Sequence, residues 1–101
     1  MSQKKPLETF KAILHKQMPL LREQFSVSKL EVFGSYVRHE EKEGSDLDIL
    51  VTFSETPSLF KFIRLENKLS DLLGIKVDLV MKNSLKPEIG KRILRETEPV
   101  S

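Results

Sequence analysis

Two short segments of alternating character, joined by one amphipathic helix, limit what this chain can fold into. The first, Asp46 to Phe53, reads DLDILVTF; the second, Ile75 to Met81, reads IKVDLVM. Successive side chains of a strand point to opposite faces. Leu47, Ile49, Val51 and Phe53 therefore share an apolar face, with Asp46 and Asp48 on the other. Ile75, Val77, Leu79 and Met81 do the same, with Lys76, Asp78 and Val80 opposite. Between the two, Thr56-Pro57-Ser58 offers a capping residue followed by proline, and a leucine-rich stripe from Leu59 to Leu73 ends at Gly74. A strand–helix–strand crossover within one sheet is right-handed and leaves its strands parallel. Parallel pairing brings Asp78 level with Asp46 and Asp48.

A third strand is expected from Val27 to Phe33, running into Gly34-Ser35. Glycine at a strand end permits torsions and close approaches that a Cβ would block. If a short helix follows from Tyr36, the N–H groups of this turn point above the strand end, a geometry that suits a phosphate. Arg38 follows Ser35 by three residues, one helical turn, and faces the same place. The rest of the charged run from Arg38 to Glu43 reads as a solvated loop. Two carboxylates side by side, as at Asp46 and Asp48, repel, and one of them should hold its proton unusually tightly. A hard cation removes the conflict, and Mg²⁺ favours a few carboxylates, water and phosphate oxygens. Three carboxylates beside a Gly-Ser turn suit two-metal phosphoryl or nucleotidyl transfer.

The remaining segments are helical. Leu7, Phe10, Leu14, Met18, Leu21 and Phe25 form a stripe from about Pro6 to Phe25, with a kink or a break into two helices expected at Pro19. Leu85, Ile89 and Ile93 mark a final helix of about ten residues starting near Pro87. Lys91, Arg92 and Arg95 fall on its exposed side, and Pro99-Val100-Ser101 offers an edge segment. The expected architecture is α/β: a small mixed sheet with helices mainly on one face and the aspartates on the open face. At 101 residues the chain is expected to form one domain, residues 1–101. The absence of cysteine rules out disulfides and thiolate metal sites. No apolar run approaches the ~20 residues of a membrane span, and no signal-type stretch follows the basic start. A cytoplasmic protein without membrane contact is expected. A net charge of +2 does not announce direct nucleic-acid binding.

Gly34-Ser35, then Ser45-Asp46-Leu47-Asp48-Ile49-Leu50-Val51, then Lys76-Val77-Asp78-Leu79-Val80 resemble the nucleotidyltransferase superfamily of DNA polymerase beta. More narrowly, the chain resembles minimal nucleotidyltransferase (MNT) antitoxins, which accompany HEPN-domain toxins. The likeness spans nearly the whole chain. Many relatives read Gly-Ser-x-x-Arg-Gly; Arg38 is kept here, and His39 replaces the second glycine. The resemblance implies that Asp46, Asp48 and Asp78 are catalytic and hold two Mg²⁺ ions. Gly34, Ser35 and Arg38 would bind the phosphates of ATP. AMP would pass to a tyrosine hydroxyl of a HEPN ribonuclease toxin, in a hetero-oligomer, and neutralise it. Two alternatives stay open: an antitoxin that acts by binding alone, and a nucleotidyltransferase acting on a small molecule or RNA.

Overall fold

A computed structural model describes residues 7–100. The elements in order are α1 (Leu7–Phe25), β1 (Val27–Phe33), β2 (Leu47–Phe53), α2 (Leu59–Leu73), β3 (Val77–Met81), α3 (Pro87–Glu96) and β4 (Glu98–Pro99). The strands form one sheet in the order β3-β2-β1-β4. β1 runs antiparallel to β2 and β4, and β2 runs parallel to β3. The sheet is therefore mixed, and the crossover through α2 gives the expected parallel pair.

α1 and α2 cover the face formed by Leu30, Val32, Leu47, Ile49, Val51, Val77 and Leu79. α1 contributes Phe10, Leu14, Met18, Leu21 and Phe25, and α2 contributes Leu65, Leu69 and Leu73. Burying side chains of this size is the main stabilising term, about 1.5–3 kcal/mol each. Of the α2 stripe, Leu59 and Ile63 stay largely outside this core, as does Phe60. Apolar periodicity at the N-terminal end of α2 thus does not translate into burial.

Three local expectations change. Pro19 lies within one continuous helix, which does not divide into two; the expected start at Pro6 lies outside the described residues. Ser58, not Thr56, caps α2: its hydroxyl accepts from the Lys61 N–H at 3.2 Å. Gly74 closes α2 in the left-handed conformation, its N–H donating to the Ser70 carbonyl at 2.8 Å. The face opposite the core is only partly open. Leu50 points to it and is fully buried, on the strand that packs against the 3₁₀ turn Lys82–Ser84. Glu31 is also buried on that face, with Lys29 and Lys82 each 3.9 Å away. No described helix is long and apolar enough to cross a membrane.

Candidate functional site

The site lies where three strand ends meet. β1 ends at Phe33 as β2 and β3 begin, so one edge of the sheet gathers Gly34, Asp46, Asp48 and Asp78. The register sets their order: Phe33 pairs with Asp48, and Asp48 pairs with Asp78. Asp78 is held from both sides. Its strand pairs with β2, while the outer edge of that strand, where unpaired N–H groups would be exposed, is closed by side chains of α2. The Val77 N–H donates to Ser70 Oγ at 3.0 Å and the Leu79 N–H to Glu66 Oε2 at 2.9 Å. The Ser70 hydroxyl in turn donates to the Glu66 carbonyl at 3.0 Å. One helix thus fixes the edge strand that presents Asp78.

Asp48 carries the electrostatic strain. Its pKa is raised from 3.8 to about 6, first by burial, then by the charges of Asp78 and Asp46 and a hydrogen bond with Asp78; Arg38 opposes the shift. Asp46, immediately before β2, leans the other way: Lys76 Nζ stands 3.8 Å from its Oδ2. Among the described residues no three acidic or histidine side chains enclose a metal site as placed. Asp48 and Asp78 are adjacent, and Asp46 is drawn towards Lys76. The donor set nevertheless fits Mg²⁺. A divalent cation would offset the burial and the mutual repulsion that raise the Asp48 pKa, and rotation of Asp46 away from an exposed lysine would supply a third carboxylate.

The Gly-Ser turn folds back by hydrogen bonds from the Val37 and Arg38 N–H groups to the Gly34 carbonyl, at 3.1 and 3.2 Å. A further bond, from Glu40 to the Ser35 carbonyl at 2.9 Å, closes it. It is a set of turns, where the sequence suggested a short helix. Gly34 has φ +82°, and a Cβ there would collide with the Asp48 carboxylate. The glycine is required twice: for its torsion and for the approach of the carboxylate. His39 also adopts a positive φ, 58°. A glycine at this position would be free of that strain, which histidine bears.

Arg38 reaches the site but is already engaged. Its Nε bonds Glu40 at 3.2 Å and its Nη1 bonds Glu96 at 2.9 Å. Those two hydrogen bonds raise its pKa, Glu40 first. Arg38 lines a cleft of about 290 Å³ with Phe33, Gly34, Asp48, Ile89, Arg92, Ile93 and Glu96. Arg92 has no ion-pair partner among the described residues. The sequence put Arg92 with Lys91 and Arg95 on a solvent face, and all three are exposed; Arg92 also lines the cleft that contains Asp48. Nothing local marks it out, because the contact spans more than forty residues of chain. Lys76 was within reach of sequence reasoning, since the register that pairs Asp78 with Asp48 also puts Lys76 beside Asp46.

The comparisons with known proteins agree with this geometry. Residues 14–100 match the family model described as nucleotidyltransferase domain. The chain belongs to the nucleotidyltransferase domain family. It is 59% identical over 90 residues to the protein adenylyltransferase MntA of Thermococcus cleftensis, covering 89% of this chain and 91% of that one. A solved structure described as a minimal nucleotidyltransferase superposes with a TM-score of 0.80 at 37% identity, covering 97% of this chain and 99% of the other. A toxin–antitoxin crystal structure with AMP-PNP superposes with a TM-score of 0.74 at 25% identity, over 90% of this chain and 72% of that one. The chain is a nucleotidyltransferase with the fold of the minimal members.

Proposed function

We propose that this nucleotidyltransferase uses Mg²⁺ to transfer AMP from ATP to a tyrosine hydroxyl of a HEPN ribonuclease toxin, and so silences it. The observation that carries the reading is the register pair Asp48–Asp78 beside Gly34, which sets two carboxylates and the Gly34-Ser35 turn at one sheet edge. The adenylyltransferase relative and the AMP-PNP complex support ATP as donor and a toxin as partner. Asp46, Asp48 and Asp78 would hold the Mg²⁺ ions, which supply charge neutralisation for the triphosphate and the attacking oxygen.

The chain's own groups do the rest. Gly34 and Ser35 clamp the β and γ phosphates; the N–H groups of Ser35 and Tyr36 donate to no backbone carbonyl among the described residues, so they remain available. Arg92 adds the unpaired guanidinium, and Arg38 joins it on exchanging Glu96 for phosphate. Asp78 takes the proton of the acceptor hydroxyl. The acceptor oxygen bonds the α-phosphorus, the bond from that phosphorus to the β-phosphate bridging oxygen breaks, and pyrophosphate leaves with the electron pair. AMP on the toxin adds bulk and negative charge to a catalytic surface.

The test is intact mass spectrometry of a co-expressed HEPN partner after incubation with this protein, ATP and Mg²⁺. The expected result is a partner heavier by one or more AMP units, and unchanged with the Asp46→Asn, Asp48→Asn double variant. A partner that co-purifies, is silenced and never gains mass refutes transfer and favours inhibition by binding.

A further inference from the structure

Among the described residues, solvent-facing apolar surface gathers at the start of α2. Leu59, Phe60 and Ile63 are 72%, 81% and 43% exposed. Phe60 stands about 180° round the helix from Leu69, which is fully buried in the core. The fold therefore turns this ring to water; it is not a core side chain left out by loose packing. Ile63 lies one turn on from both Leu59 and Phe60, so the three form one patch. A groove of about 590 Å³ runs beside it, between the end of α1 and the start of α2, lined by Gln24, Phe25, Ser58, Phe60, Lys61 and Arg64. Lys61, Arg64 and Lys68 follow one another along one flank of α2. None of them has an ion-pair partner among the described residues. A lone exposed leucine needs no explanation, whereas a contiguous apolar patch that includes an aromatic and has a charged rim has the composition of a binding surface.

The patch is remote from the aspartates. α2 is 15 residues long, about 22 Å, and its far end leads through Gly74 to the strand that carries Asp78. A partner seated at Phe60 leaves that edge of the sheet open. We propose that the patch docks a helix of a protein partner. The apolar side chains of that helix pack on Phe60 and Ile63 and enter the groove, and its flank presents aspartates or glutamates to Lys61, Arg64 and Lys68. Charge complementarity selects this occupant. Carboxylates at the matching spacing on a facing helix meet the three cations in register, and the apolar contact beside them excludes the water that would weaken the pairs. A second copy is disfavoured: a two-fold contact sets the patch against itself, and the cationic row of one copy then faces that of the other. A flat anionic lipid surface is disfavoured too. Glu55 and Asp71, both exposed, precede and follow the patch in the chain and would be pressed against like charge. A facing helix need cover only the patch and the cationic row.

The probe is a stapled synthetic helix with leucine and phenylalanine on one face and glutamates at the spacing of the three cations; its twin carries lysine in place of each glutamate. Each is titrated into the full chain at low salt while amide chemical shifts are followed. The glutamate helix should shift residues 24–25, 58–64 and 68, leave residues 46, 48 and 78 unmoved, and bind at least about tenfold more tightly than its twin. Phe60→Ser should weaken it about tenfold without lowering the melting temperature, because the ring is exposed in the free protein. Lys61→Glu with Arg64→Glu, both at exposed positions, should reverse the preference between the twins. No binding, equal binding of the twins, shifts at other residues, or an affinity untouched by Phe60→Ser overturns the proposal. So does sedimentation that shows a dimer which Phe60→Ser dissociates, since the occupant is then a second copy. Phosphatidylglycerol vesicles that bind wild type and not Phe60→Ser, with no shift from the glutamate helix, overturn it in favour of a lipid surface.

Discussion

Replacing Asp48 by asparagine should stabilise the metal-free protein while abolishing transfer. The carboxyl has a pKa of about 6 in the fold, against 3.8 for the unperturbed group. Carried unscreened, that gap is worth about 3 kcal/mol. Asp48 is only partly buried, and solvent screening reduces the figure to about 1 kcal/mol. The sign follows from linkage: the folded pKa lies above the unfolded one, so between about pH 4 and pH 6 the folded state keeps a proton that the unfolded state has lost. This group's favourable share of stability is thus complete below about pH 4 and disappears as pH rises through 6. Asparagine mimics the protonated form at every pH and can donate to Asp78. In EDTA at pH 8, Asp48→Asn should therefore melt about 4 °C higher than wild type; at pH 4 the two should melt together. Adding Mg²⁺ should raise the wild-type melting temperature and leave the variant unmoved, by the mass action of a ligand that binds only the native state. Calorimetry at the two pH values, with and without Mg²⁺, makes the measurement. A variant that melts lower than wild type at pH 8, or a difference that persists unchanged at pH 4, refutes the argument that burial and carboxylate repulsion load this position.

Gly34→Ala should lose more than about 2 kcal/mol in urea unfolding, combining left-handed strain with displacement of the Asp48 carboxylate; an unchanged midpoint would contradict the close approach. His39→Gly should be neutral or stabilise by up to about 1 kcal/mol, because it relieves a positive φ, and a loss above that figure would show a role for the imidazole. Glu66→Ala strips the Leu79 N–H of its acceptor and should cost about 1–3 kcal/mol. Faster amide exchange in β3 than in β1 would accompany it, and protection unchanged along β3 would refute the edge-closing role. Gly90→Ala should stabilise by about 0.5–1 kcal/mol, since the added Cβ meets Leu85 at an ordinary 3.5 Å; a lower melting temperature would show that α3 needs a closer approach there.

Local rules were enough to place most elements. Alternation over Asp46–Phe53 and Ile75–Met81 marked two strands, which in the structure run Leu47–Phe53 and Val77–Met81, and Gly74 marked the end of the helix between them. They were less reliable at boundaries. Thr56 and Ser58 are both capping residues two positions apart, and only the fold selects the one whose hydroxyl meets the Lys61 N–H. Apolar period also overstated burial: Ile89 and Leu94 are 53% and 45% exposed. A helical stripe states which residues share a face, not what stands opposite.

The sequence by itself determined that three aspartates share one edge of the sheet beside a Gly-Ser turn. Strand period is strictly two, crossovers are right-handed, and a glycine before a polar turn has few uses at a strand end. Tertiary structure alone decided the charge state and the surroundings of those residues. Arg38 faces the site but is held by Glu40 and Glu96; Arg92 and Lys76 border it from other elements; burial and its neighbours' charges raise the pKa of Asp48. Such effects depend on distance and burial in three dimensions. Asp48 and Asp78 are thirty positions apart in the chain and adjacent in the sheet, and electrostatic energy follows the second separation, not the first.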